Sequence, residues 1–375
     1  MINKEELYSL FKEAVLFRRI VHQNPEIGFN CLNTSKRLAE YLKTFKIENF
    51  EFVGHSIVGK IENGKGKRIG LRADIDALNQ IELTDVPFKS VNNYMHACGH
   101  DVHQTILLYT LIYLNTHLDL WSGTVNFVFQ EAEEGPYPGG GIKVIESALL
   151  DNIDEFYAFH VTNDLDVGEI GIKIGEAMAS ADTFKITFNG KSGHAAYKDQ
   201  FINPVDMIYD FLKEIEIIKN VYQNELITVT NVHSGSTYNI VDDIGLVLGI
   251  VRTFNQKKRL EIEEKIKNII NSLMDKYKKE IIIEYINHYP SLINSKNSSF
   301  NAKEIINKSN LKYIELEKPS MAAEDFSYYI NRFSGTLMWL GSKKEEKVPL
   351  HSKYFDLSEQ AILNGMLVFI NLVIA

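Results

Sequence analysis

TFKITFN, residues 183–189, alternates apolar and polar side chains with the period of a half-buried strand, and the elements after it decide the fold. Residues 204–219 carry apolar side chains at helical spacing, and 225–232 (ELITVTNV) read as a second strand. A third strand is expected over 245–252 (GLVLGIVR), a long helix over 259–278 and a fourth strand over 280–286. The order β-α-β-β-α-β is that of a small ferredoxin-like α+β domain, expected here over residues 179–288.

Outward from this block the rhythm changes on both sides. Helical spacing occupies 4–22 and 32–46; strands are expected over 56–61 and 67–73 (KRIGLRA). A helix rich in Leu and Ile occupies 101–116, then comes WSGTVNFVFQE (121–131) with its apolar run at 125–129. Beyond Pro290 the same alternation resumes, with a buried strand over 335–340 and an apolar helix over 361–375 that suits docking on a sheet. Strand, helix, strand at this pace predicts an α/β domain with a mixed sheet, built from residues 1–178 and 289–375 and interrupted by the inserted domain.

Composition removes several functions. The 375 residues are 45% hydrophobic and 24% charged, enough apolar material for more than one core in a globular protein. A net charge of −9 argues against nucleic-acid partners, because the lysines at 276, 278 and 279 lie among acidic residues. Two cysteines, Cys31 and Cys98, give no disulfide framework. The first fifteen residues form an amphipathic, partly acidic stretch without a signal-peptide core, and 361–375 is too short to span a bilayer. A cytoplasmic protein without membrane contact is the expectation.

The chemistry concentrates in MHACGHDVH, residues 95–103. Cys98 and His100, separated by one glycine, can reach one metal centre from a tight turn, and thiolate with imidazole suits zinc, cobalt or nickel. A cysteine is as often a buried small hydrophobe, so this cluster alone leaves metal binding at even odds. Glu133 and Glu134 come after the strand ending at Phe129; one can ligate a metal while its neighbour serves as a base. A Glu pair by itself is more often surface charge. The strand before it and the GPYPGGG after it favour a site, since α/β sheets gather their sites at carboxyl strand ends. His160 closes the apolar run 156–159, Asp74 and Asp76 close 71–73, and His351 lies in the loop VPLHS.

Nine segments, taken together, resemble the superfamily of aminoacylases, metallo-carboxypeptidases and amino-acid amidohydrolases, in its amidohydrolase branch. They are RRIVHQNPEIGFN (18–30), LRADIDAL (71–78), MHACGHDVH (95–103), FQEAEEG (129–135), FHVTND (159–164), GKSGHAAY (190–197), GSTYNIV (235–241), AAEDFSYY (322–329) and PLHS (349–352). The resemblance implies a zinc-peptidase-like catalytic domain with a lid and dimerisation domain, hence a homodimer. It implies two divalent metal ions (zinc, cobalt, manganese or nickel) held by Cys98, His100, Glu134, His160 and His351. It makes Glu133 the general base that deprotonates a metal-bound water, and Asp74 the acidic residue that orients a ligand. His194 would stabilise the oxyanion across the dimer interface, and Asn239 and Arg252 would bind the substrate carboxylate. The resemblance also implies a small N-acyl amino acid as the substrate class. FSGTLMWLGS (333–342) looks most like the branch members that deacetylate N-acetyldiaminopimelate in lysine biosynthesis, with a broader N-acyl-amino-acid or hippurate-type amidohydrolase as the alternative. A non-catalytic relative would have lost Glu133 or several ligands, and all are present. One departure stands out: Glu131 occupies the place where the family has Pro before the Glu pair.

Overall fold

The computed structural model describes residues 2–375, which divide into two compact units. The first runs through Gly175 and resumes at Ile293–Lys318 and Asp325–Ala375; the second is Glu176–Leu292 with Pro319–Glu324.

The first unit is built on an eight-stranded mixed sheet. In spatial order its strands are Phe50–Val53, Ser56–Asn63, Gly123–Gln130, Arg68–Asp74, Glu155–Asp166, Gly335–Lys343, Glu169–Ile172 and Lys312–Glu315. The four central strands run parallel to one another. Gly123–Gln130 is buried at every position, as a strand covered on both faces must be. Ser56–Asn63 pairs antiparallel with it. Arg72 pairs with Ala158, so Asp74 and His160 come level two residues further on.

One helix, His100–Thr116, is buried from its first residue through Leu114 and apolar nearly all round, which places it in the core rather than at the surface. The carboxy-terminal helix Gln360–Ile374 packs against it, and Phe369 stacks at 4.5 Å on Phe159 of the sheet. The amino-terminal helix Lys4–Gln23 is started by Asn3, whose side chain accepts the amide N–H groups of Glu5 and Glu6. It buries Leu7, Ala14, Phe17 and Val21 in the same core.

The second unit has its own core. Its sheet runs Leu226–Ser234, Ile244–Arg252, Asp182–Asn189, Ile281–Asn287, all antiparallel, with helices Pro204–Val221 and Gln256–Tyr277 packed over it. This is the ferredoxin-like strand order. Asn203 and Asn255 start the two helices by accepting backbone N–H groups.

Several short elements carry no clear pattern in the sequence. Phe50–Val53 is a four-residue edge strand with Glu51 and Phe52 exposed. Helix Gly140–Glu146 begins on two glycines, and Lys296–Lys308 carries Asn-Ser-Ser within its first turn, all weak helix formers. Among the described residues no helix is long and apolar enough to cross a membrane.

Candidate metal centre

The carboxyl ends of two neighbouring parallel strands and the middle of a third, which runs on past His160 rather than ending there, bring the acidic and imidazole groups together. Asp74 ends Arg68–Asp74, Glu133 and Glu134 come just after Gly123–Gln130, and His160 lies on Glu155–Asp166. Opposite them, the turn 95–99 delivers Cys98 and starts the buried helix at His100. Gly99 has φ +81°, and a Cβ there would stand 2.3 Å from Val161 Cγ2, so only glycine permits this approach. The loop carrying His351 is pinned by its own N–H to the Ala97 carbonyl at 2.9 Å.

The donor atoms converge. Cys98 Sγ lies 3.4 Å from His160 Nε2 and 3.3 Å from His351 Nε2, and His351 Nε2 lies 3.1 Å from Glu134 Oε1. Cys98, His100 and His160 form one set with ligand atoms within 4.8 Å of one another; Cys98, Glu134 and His351 form a second, and His100, Glu133 and Glu134 a third.

Hydrogen bonds set which nitrogen faces inward. His160 donates Nδ1–H to the Val161 carbonyl at 2.8 Å, leaving the Nε2 lone pair directed at Cys98. Both ring nitrogens of His100 are buried without a hydrogen-bond partner: Nδ1 faces Asp76 Oδ1 at 3.4 Å and Nε2 lies 3.9 Å from Glu133 Oε2. An unpaired imidazole nitrogen buried among carboxylates and a thiol is costly unless a cation fills the space. The set of one sulfur, three imidazoles and a carboxylate fits borderline-soft divalent ions.

Without a cation the cluster holds protons. Burial depresses the His100 imidazole, but Asp74, Asp76 and Glu134 outweigh it and hold it up to about 10. Burial, reinforced by Glu134 and Glu133, pushes the Cys98 thiol well above its ordinary value. Burial, helped by the neighbouring His103, lowers His160 to about 3. Burial alone would raise Glu134; the hydrogen bond from His351 and the charge of His100 bring it below the usual range.

Asp74 stands one step behind the candidate ligands. Its Oδ2 accepts from Arg72 at 2.6 Å and its Oδ1 accepts Nδ1–H of His103 at 2.6 Å. His103 Nε2 in turn accepts the Val161 N–H at 2.9 Å, which fixes the residue next to His160. Arg72 also reaches Asp325 at 2.6 Å, and Asp325 accepts from Gln130 and from the Gly141 N–H. The carboxylate facing His100 most closely is Asp76, which also accepts the backbone N–H groups of Glu133 (3.1 Å) and Glu134 (3.0 Å). Sequence reasoning named Asp76 beside Asp74 at a strand end but gave it no role, and it singled out neither His103 nor Asp325. The signal for His103 was its i+3 spacing from His100, and for Asp76 its i+2 spacing from Asp74 at a strand end. Trp339 packs its ring 5.0 Å from that of His160 and so backs a candidate ligand.

Beside Glu134 and His351 lies a hollow of about 540 Å³, walled by Ile27, Phe29, Leu78, Asn79, Gln80 and Pro136 among others, with no lysine or arginine in its lining. In the second unit, His194 and Asn239 come together: His194 pairs across a short ladder with Ile240, and the Asn239 carbonyl accepts the Ala195 N–H at 3.0 Å. Both are exposed. Arg252 is apart from them, at the far end of the strand that starts at Ile244, where it donates to the Ser180 carbonyl at 3.2 Å.

Comparison with known proteins gives this arrangement relatives. The profile of Peptidase family M20/M25/M40 matches residues 70–375. Thermostable carboxypeptidase 1 of Saccharolobus solfataricus is 32% identical, over 97% of this chain and 95% of its own. N-acetyldiaminopimelate deacetylase of Ligilactobacillus salivarius is 32% identical, over 94% of each chain. The crystal structure of the Bacillus subtilis YXEP protein, described as a dinuclear metal binding peptidase from the M20 family, superposes with a TM-score of 0.85 at 29% identity, covering 98% of both chains.

Proposed function

The chain belongs to peptidase family M20/M25/M40, and from that premise we propose that it is a metal-dependent amidohydrolase that removes the acetyl group of N-acetyl-diaminopimelate, yielding diaminopimelate and acetate. The observation that carries the hydrolytic reading is the bare Nε2 of His100 beside Glu133, where three donor sets drawn from Cys98, His100, Glu133, Glu134, His160 and His351 overlap. The diaminopimelate reading rests on the 333–342 stretch and on the similarity to the Ligilactobacillus enzyme.

Cys98, His100, Glu134, His160 and His351 would hold two divalent ions, which when bound supply Lewis acidity to polarise the amide and to acidify water near neutral pH. Glu133, 7% exposed, takes a proton from the attacking water and returns it to the leaving amine. Asp76 keeps Glu133 and Glu134 in place through their N–H groups. Asp74 acts through His103, whose two ring nitrogens are both engaged. From the second unit we assign Arg252 and Asn239 to the substrate carboxylate, and because Asn239 lies beside His194 and apart from Arg252, the two would meet one substrate only if they came from different chains of a dimer. Pairing of two chains through that unit would let His194 of the partner subunit donate to the developing oxyanion. A dimer at micromolar concentration in sedimentation velocity is the expected assembly, and a monomer there would remove that role from His194.

The broader N-acyl-amino-acid or hippurate-type reading has one observation behind it: the hollow beside Glu134 is large for an acetyl group and carries no cationic side chain. Acetate release from N-acetyl-diaminopimelate and N-acetyl-methionine, measured beside benzoate release from hippurate, separates the two. Preference for the first substrate supports the lysine-pathway deacetylase; faster turnover of hippurate or N-acetyl-methionine assigns the broader enzyme.

A further inference from the structure

Glu131, the residue standing where the family has Pro, is not used by the chemistry above. It is 2% exposed, yet it carries a carboxyl group. Its Oε1 accepts the backbone N–H of His55 at 3.0 Å, and its Oε2 lies 3.1 Å from His55 Nδ1. Its own N–H donates to Ser56 Oγ at 3.1 Å. The turn that receives it is shaped for it: Gly54 has φ +63°, and a Cβ there would meet Glu131 Oε1 at 2.1 Å. His55 Nδ1 also lies 2.8 Å from the Phe29 carbonyl. Both neighbours of that nitrogen are acceptors, so the proton sits on Nδ1 and is shared between them.

The next residue explains why such an anchor is present. Ala132 has φ +58°, the left-handed region that a non-glycine residue occupies only when its surroundings impose it. Downstream of Ala132, Asp76 takes the N–H groups of Glu133 and Glu134. Upstream, the Glu131 carboxylate is clasped by the 54–56 turn. The unfavourable residue is thus held at both ends, and the two functional glutamates come directly after it.

We propose that Glu131, locked by His55, is a positioning residue that holds the turn at Ala132 and so aims the Glu133 and Glu134 carboxylates into the metal cluster. The inference rests on reading Glu134 as a ligand and Glu133 as the base. Release of the lock lets residue 132 relax toward ordinary backbone angles and swings Glu134 away from His351 and Cys98. Metal affinity and kcat then fall, while KM changes little, because no group contacting substrate has been altered. His55→Asn keeps an N–H near the position of Nδ1; His55→Ala does not.

The test compares the full-length wild type with His55→Ala, His55→Asn, Glu131→Ala and the His55→Ala/Glu131→Ala double variant. Cobalt affinity is read on metal-stripped protein by competition with a chelator and by the cobalt absorption spectrum, and thermal midpoints are recorded for the metal-free forms. Each alanine variant is expected to bind cobalt about tenfold more weakly or worse, the range for removal of a group supporting a ligand. The double variant should be no weaker than the poorer single one, and His55→Asn should stay within about threefold of wild type. Cobalt affinities within threefold of wild type in both alanine variants would overturn the proposal, as would multiplicative losses or a His55→Asn variant as poor as His55→Ala. If Glu131→Ala fails to fold, the two His55 variants, altered on a partly exposed turn, still decide. The cobalt readings need no turnover, so they stand apart from any failure to hydrolyse the amides named above.

Discussion

At Glu133, replacement by glutamine keeps the size of the side chain and removes its ability to take a proton. The Glu133→Gln variant should retain its metal content and lose about 10²–10⁴-fold in kcat, read by steady-state hydrolysis beside metal analysis. A variant within tenfold of wild type would move the base elsewhere. The neighbouring candidate ligands Cys98 and His100 carry a pH dependence. In the metal-free protein His100 keeps its proton up to about 10, and the Cys98 thiol keeps its own still more strongly. A metal ion must displace those protons, so binding at pH 7 should release acid into unbuffered solution, and apparent affinity should climb as pH rises toward 10. Affinity independent of pH between 6 and 9 would show that these two groups are not ligands.

At the scale of elements, the helix starting at His100 and the strands facing it are held together by groups far apart in sequence. Asp325 accepts from Arg72, Gln130 and the Gly141 N–H, all in the interior. Asp325→Ala leaves the buried Arg72 guanidinium with Asp74 as its remaining carboxylate and strips Gln130 and the Gly141 N–H of their acceptor, and we expect about 3–5 kcal/mol of lost stability in urea unfolding of the metal-free protein. Gly99→Ala should be as damaging for a different reason: φ +81° and the 2.3 Å approach to Val161 leave the new methyl no room, and Cys98 and His100 lose their registration. These couplings mark where the sequence stops being legible. The long apolar helices, the four strands of the second unit and the densely reactive segment 95–103 could be read directly, because periodicity and residue chemistry are local. The relay from Asp325 through Arg72, Asp74 and His103 to Val161 could not, since its members come from separated stretches and each alone reads as an ordinary residue. The orienting part of Asp76 was hidden for a similar reason: two carboxylates at i and i+2 look alike until their partners are known.

At the scale of the whole molecule, the second unit has sixteen fully apolar buried side chains of its own, from Phe184 to Ile281, and its four strands and two helices need no partner strand from the first. Residues 176–292 expressed alone should therefore unfold in one cooperative transition followed by circular dichroism; a non-cooperative, molten spectrum would show that its core is incomplete. The return of Pro319–Glu324 to that unit, after the stretch Ile293–Lys318 in the first, is a feature that hydrophobic patterning does not carry. The candidate ligands Cys98, His100, Glu134, His160 and His351 all belong to the unit that contains the mixed sheet.

The measurement that bears most directly on the metal-dependent account is metal reconstitution with activity read on the same samples. The protein is stripped with chelator, zinc or cobalt is titrated back, and bound metal and hydrolysis of N-acetyl amino acids are recorded together. The account predicts no hydrolysis in the stripped protein and activity that rises with occupancy to a plateau near about two ions per chain, as a two-metal site requires. Full activity in protein with almost no bound metal would contradict it.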